Sequence, residues 1–231
     1  MNLRSPDCRA LIAHVLPFAL FMAGVALTEA MPHHGAGASN FLLAHSEQWI
    51  YPLQTFVCAV ALVAGWRYYQ FGSQKALPLA IGLGIVVFGI WISPQWLFHQ
   101  PARVNGFDPT IFAATPTLYW SGLAARFLRL VIVVPLLEEI FWRGFLQRYL
   151  VKESFLAVPF GTYTPLSFWG VVVAFMFVHQ APDWPAALVT AAAYGWLAVR
   201  SKSLLACVVA HATTNLLLGI YIMTTKQWGF W

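Results

Sequence analysis

Seven apolar runs, most of them near the length of a bilayer crossing, divide this 231-residue chain. They cover about residues 10–30, 48–69, 76–98, 118–150, 166–181, 184–200 and 203–225. A helix needs about 20 mostly apolar residues to cross the hydrocarbon layer, because each residue advances it by about 1.5 Å. The composition fits no other solvent: 60% of residues are hydrophobic and 9% are charged, where a soluble domain carries roughly a quarter charged residues. The expected fold is therefore an all-α membrane protein, a polytopic bundle of about seven transmembrane helices in one integral membrane domain over residues 1–231. Runs five and six are short, and the turn HQAPDWP between them is tight. The first run follows Arg4 and Arg9 but is too long for the apolar core of a signal peptide, and no clean A-x-A site follows it. It reads as a helix.

The basic residues orient the bundle. Arg4 and Arg9, then Arg67 and Lys75, then Arg143, Arg148 and Lys152, then Arg200 and Lys202 fall at alternate connections. The connections between them are poor in Lys and Arg: 31–47 holds only His33, His34 and His45, 99–117 holds Arg103, and 180–185 holds none. Lys226 lies near the last residue. Basic loops stay cytoplasmic, so the N-terminus is expected inside and the C-terminus outside, in a bacterial inner membrane. No Lys/Arg stripe with interleaved aromatics is present, which argues against nucleic acid as a partner. The net charge of +5 is a topology signal, and the eleven tryptophans suit interfacial belts. Cys8, Cys58 and Cys207 lie far apart without a CxxC, and imply neither a disulfide framework nor a zinc site.

Against that background a few polar side chains are out of place. An ionisable group at mid-bilayer costs about 2.5–3.5 kcal/mol on insertion scales, so it faces the bundle interior or a wet cavity. The fourth run contains VVPLLEEIFWRGFLQRYL, with Glu138 and Glu139 side by side. Successive helical residues are about 100° apart, so the two cannot point the same way. Glu139 precedes Arg143 by four residues, the favourable order for an intrahelical ion pair. Glu138 is left to face a cavity. His179 ends the fifth run with Phe175 one turn earlier, and His211 and Asn215 share a face of the seventh, whose start Ser203 can cap. Counted from the basic end, Glu138 lies about 21 Å deep, His179 about 20 Å, and His211 and Asn215 about 12–18 Å. All four can reach one layer.

These residues form an ordered pattern: E-E-x-x-x-R in EEIFWR, F-x-x-x-H in FMFVH, and H-x-x-x-N in HATTN. The pattern resembles the CAAX-protease and bacteriocin-processing family, the Abi or Rce1-like intramembrane endopeptidases. RGFLQRYL after the first motif and SLLACVVAH before the third are similar as well. The resemblance covers about residues 120–225, within a catalytic portion 119–225; residues 1–118 share only their helical character. It implies a membrane protease whose site opens to the cytoplasm. In eukaryotic relatives the substrate is a prenylated C-terminal CaaX sequence, and a subgroup of bacterial relatives is linked to exopolysaccharide and protein-sorting systems.

Peptide hydrolysis needs an activated nucleophile, a stabilised oxyanion and an acid for the leaving amine. No GxSxG and no HExxH is present, and Asp7, Asp108 and Asp183 fall in tails or loops. What remains is a water activated by glutamate and histidine. Glu138 is then the general base and His179 holds the water. His211 and Asn215 donate to the oxyanion, with Glu139, Arg143 and Phe175 behind them. This agrees with the glutamate-type mechanism attributed to the family. The expected substrate is a membrane-associated protein or peptide cut near its C-terminus, with no cofactor. Two histidines and a glutamate also meet the ligand count of a catalytic zinc, as Glu138, His179 and His211. A non-catalytic scaffold or a proton-relay transporter would use the same polar layer differently.

Overall fold

The computed structural model describes residues 6–31, 46–104 and 106–231. Arg4 and the loop histidines His33, His34 and His45 lie outside the described residues. Among the described residues seven helices form: α1 Pro6–Ala30, α2 Glu47–Gly65, α3 Leu77–Leu97, the continuous α4 Pro116–Tyr149, α5 Pro165–Phe177, α6 Trp184–Ser201 and α7 Leu204–Thr225. No strand occurs among the described residues. The protein is a helical membrane bundle, because lipid requires each spanning backbone to pair within itself. Its outer face is apolar: Phe56 and Val63 are 67% and 73% exposed.

Five of the seven helices, α1 to α4 and α7, have the length and hydropathy to cross a membrane. α5 has only 13 residues, about 20 Å, short of a hydrocarbon layer of about 30 Å. It ends earlier than its apolar run suggests, and His179 supplies the reason. The Phe175 carbonyl would normally receive the His179 backbone N–H; instead it accepts from the His179 ring Nδ1 at 2.8 Å, while that N–H turns to Met176 O. A side chain competing for its own helix's carbonyl ends the helix, and Pro182 follows at once. His179 therefore sits in the turn after α5.

Local chemistry sets the other boundaries. Thr164 and Ser167 form a capping box ahead of Pro165. Ser203 caps α7 by accepting from Ala206 N at 3.2 Å. Lys202 and Lys226 end α6 and α7 in the left-handed conformation. Just beyond α2, the buried Tyr69 donates to Ala13 O at 2.7 Å. Burial pushes its phenol up to about 12, so it stays a donor at any working pH.

α4 is not a plain α-helix. Wider π-helical segments at Arg129–Val133 and Ile140–Leu146 flank a short α stretch, Val134–Glu139, that carries both glutamates. Pro135 is the sequence cause of the first. It has no N–H to give Val131 and its ring crowds that carbonyl.

The helices pair as α1 with α2, α3 with α7, and α5 with α6, and α4 runs through the middle of the set. Phe18 of α1 stacks on Phe141 of α4, with centroids 4.1 Å apart and rings 8° from parallel. α3 and α7 approach closely because residue 84 is glycine: a Cβ there would lie 2.5 Å from Ala210 O. Thr214 Oγ1 donates to Gly84 O across that contact at 2.7 Å. Trp91 Nε1 donates to Thr190 Oγ1 at 2.9 Å and joins α3 to α6.

Candidate active site

The two adjacent glutamates have different surroundings. Glu139 is fully buried, and its Oε1 accepts from Arg143 Nη1 and from His211 Nδ1, each at 3.0 Å. The Arg143 contact is the i, i+4 pair that the spacing predicts. Arg143 also donates from Nη2 to Ala191 O at 3.1 Å, and its guanidinium lies between the Phe175 and Tyr194 rings at 5.4 and 5.7 Å. Glu139 thus ties α4 to α7, and Arg143 ties both to α6.

Glu138 turns the other way, into a cavity of about 730 Å³, and its Oε2 is buried without a hydrogen-bond partner. His179, His211, Asn215 and Phe175 line the same cavity. Glu139 and Arg143 lie behind the wall, outside its lining.

The ring hydrogen bonds assign the histidine tautomers. A carbonyl only accepts, so His179 carries its proton on Nδ1 and shows a bare Nε2 when neutral. Its ring stacks on Phe175 with centroids 4.6 Å apart, and Trp184 Nε1 donates to its carbonyl at 3.0 Å. His211 has its Nδ1 on the Glu139 carboxylate, so its Nε2 also accepts when the ring is neutral. It donates there only as imidazolium.

Asn215 answers to the distortion in α4. Its Nδ2 donates to Leu130 O at 2.9 Å, inside the first π segment. One amide hydrogen is spent on the α4 backbone and the second remains. Beside it, Thr214 Oγ1 and Tyr194 Oη are 2.7 Å apart.

Two cavity residues escaped the sequence reading: Arg126 and Arg129, on α4. The signal was present in LAARFLRLVIVV, two cations at the head of an apolar run. Arg126 is 2% exposed. Its guanidinium lies over the rings of Tyr51, Phe107 and Trp231 at 4.2, 5.2 and 5.2 Å. Arg129 lies over Tyr51 and Phe21 at 4.4 and 5.1 Å.

The cavity extends from the Glu138 layer toward Glu29, Glu47, Arg103 and Asp183, where an Arg103–Asp183 ion pair of 2.6 Å borders it. That is the end of the bundle where α1 finishes and α2 begins. None of the residues in the basic connections 66–76, 150–164 or 201–203 lines it. Among the described residues, no three His, Cys, Asp or Glu side chains are grouped to share a metal ion. Glu138, His179 and His211 as arranged do not fit the zinc site that their number allows.

No match was found among curated proteins or solved structures. Residues 120–217 match the family described as type II CAAX prenyl endopeptidase Rce1-like. The matched stretch, a little under half of the chain, runs from α4 into α7 and contains Glu138, Glu139, Arg143, His179, His211 and Asn215. Over that stretch the chain is similar to the Rce1-like family of CAAX-type proteases.

Proposed function

We propose that this protein is a glutamate-type intramembrane endopeptidase that hydrolyses a peptide bond near the C-terminus of a membrane-associated protein. One observation carries the reading: Glu138 reaches the cavity with an unpartnered carboxylate oxygen, while Glu139 is held behind it by Arg143 and His211. Glu138 takes a proton from water, and the water oxygen bonds to the scissile carbonyl carbon. The bare Nε2 of His179 holds the second water hydrogen. The oxyanion takes the spare Asn215 amide hydrogen and, when His211 is protonated, its Nε2–H, with Glu139 as counter-ion. Glu138 then passes its proton to the leaving amine as the C–N bond breaks. No step needs a metal.

The side of access follows from charge. Basic residues gather at the connections away from the cavity. With those connections cytoplasmic, as the positive-inside bias favours, the N-terminus is inside and the cavity opens to the far side of the inner membrane. The substrate then enters from that side, unlike the cytoplasmic access implied by the resemblance. To test the proteolytic reading, C-termini of membrane proteins are compared by proteomics in cells carrying the native protein or Glu138→Gln. Shortened C-termini lost in the variant support it; identical C-termini overturn it.

A further inference from the structure

Trp91 lines the cavity and has no part in the hydrolysis described above. It lies before residues 120–217, the stretch with the family match, and among the described residues it is the one residue of α3 on the cavity wall. Ala80, Gly84, Val87 and Trp91 follow one another at four- and three-residue spacing and so share a face of α3. The first three are buried, and Gly84 lets that face close on α7. Trp91 is half-buried and ends the stripe where α3 meets α6. An indole has one donor and no acceptor, so its 2.9 Å contact runs from Nε1–H to Thr190 Oγ1. Thr190 donates in turn to Ala186 O at 2.7 Å, which leaves its lone pairs for the indole. The ring anchored in this way has its centroid 5.7 Å from that of the His179 ring, at 52°. Phe175 lies against the same imidazole at 4.6 Å.

We infer that Trp91 is a positioning residue for His179 and that Thr190 holds it in place. This rests on the proteolytic reading above, in which the bare Nε2 of His179 holds the attacking water. His179 sits in the turn after α5, so helix geometry does not fix its ring. The bond from Nδ1 to Phe175 O sets one point of the imidazole and leaves it free to rock about that point. Neighbouring rings remove that freedom. Phe175 belongs to the helix that carries His179 and moves with it. Trp91 comes from α3 and is tied to α6, so it refers the imidazole to the rest of the bundle. The cavity of about 730 Å³ gives an untethered indole room for other rotamers, and the Thr190 acceptor selects one. A water held slightly out of line slows its attack without weakening the binding of substrate. Trp91 thus gives the helices before residue 118 a share in the site.

The test uses the full-length protein in phosphatidylcholine nanodiscs and the best-cut peptide of a randomised decapeptide library, found by mass spectrometry. Trp91→Phe keeps an aromatic ring and loses the donor; Thr190→Val keeps the shape and loses the acceptor. Each should lower kcat about 3- to 10-fold, the weight of one neutral hydrogen bond, with KM unchanged. The double variant should be no slower than the slower single, because both changes remove the same bond. Thr190→Ser, which keeps the acceptor, should recover most of the loss. A second reading does not depend on turnover. Diethyl pyrocarbonate acylates bare imidazole nitrogens, and mass spectrometry follows each histidine separately. His179 should react faster in Trp91→Phe and in Thr190→Val, while His211 keeps its native rate. Selective acceleration of His179, with no cleavage of any peptide by the unaltered protein, supports the positioning role and sinks the proteolytic reading. Acceleration of both histidines alike overturns the role, since general loosening then accounts for the loss. A rise in KM with kcat unchanged also overturns it, because Trp91 then touches substrate. Cleavage and labelling both unchanged in the two variants overturn it and leave the protease standing.

Discussion

His211 Nδ1 and Glu139 Oε1 meet at 3.0 Å across 72 positions of chain, and Arg143 Nη1 shares the same oxygen. One carboxylate oxygen therefore fixes the rotation of α4 against α7, and with it the direction of the neighbouring Glu138. Removing that charge leaves Arg143, 1% exposed, as an unpaired buried cation. Glu139→Gln should cost about 3–5 kcal/mol of stability. A lowered melting temperature in detergent, largely regained by pairing Glu139→Leu with Arg143→Met, is the expected result; an unchanged melting temperature would contradict it.

Glu138→Gln should behave in the opposite sense. Glu138 has no ion-pair partner among the described residues and faces open volume, so its loss should leave the melting temperature nearly unchanged. Its loss as base should lower kcat by about 10²- to 10⁴-fold with KM unaffected. Single-turnover peptide cleavage separates the two constants.

Purified protein should keep its activity in excess EDTA and 1,10-phenanthroline, because no set of three metal ligands is assembled among the described residues. Activity lost to chelators and restored by zinc alone would require the side chains around Glu138 to regroup, and would replace the glutamate-type mechanism.

Access from the far side of the membrane is open to labelling. Gln100 and Gln74 are exposed at opposite ends of α3, and all three native cysteines are buried. A membrane-impermeant maleimide should modify Gln100→Cys in spheroplasts and Gln74→Cys only after permeabilisation. The reverse pattern would place the cavity mouth in the cytoplasm.

Helix positions were legible because hydropathy in lipid is a strong, one-dimensional signal: the seven runs and the seven helices differ by a few residues at each end. The pairing of Glu139 with Arg143 was legible for the same reason, since four-residue spacing is local. What lay beyond reach depended on competition and on the third dimension. Nothing in FMFVHQAP ranks the His179 ring above its own backbone N–H for the Phe175 carbonyl, so α5 read as longer than it is. Pro135 stood in plain view within VVPLLEE, yet a proline predicts a disturbance and not which partner, here Asn215, will meet the disturbed backbone. Arg126 and Arg129 were overlooked because a charge near the start of a span passes for an interfacial anchor until the aromatic rings around it are seen.

The π segment at Arg129–Val133 also bears on how this chain can change over generations. A π turn takes about one residue more than an α turn. Deleting one residue there would let the helix relax to ordinary winding and turn everything beyond it by about 100°. Glu138 and Glu139 would then lose their present directions together, although neither had been touched. Substitutions along this stretch alter one contact each; a single lost codon would rewrite which carboxylate faces the cavity.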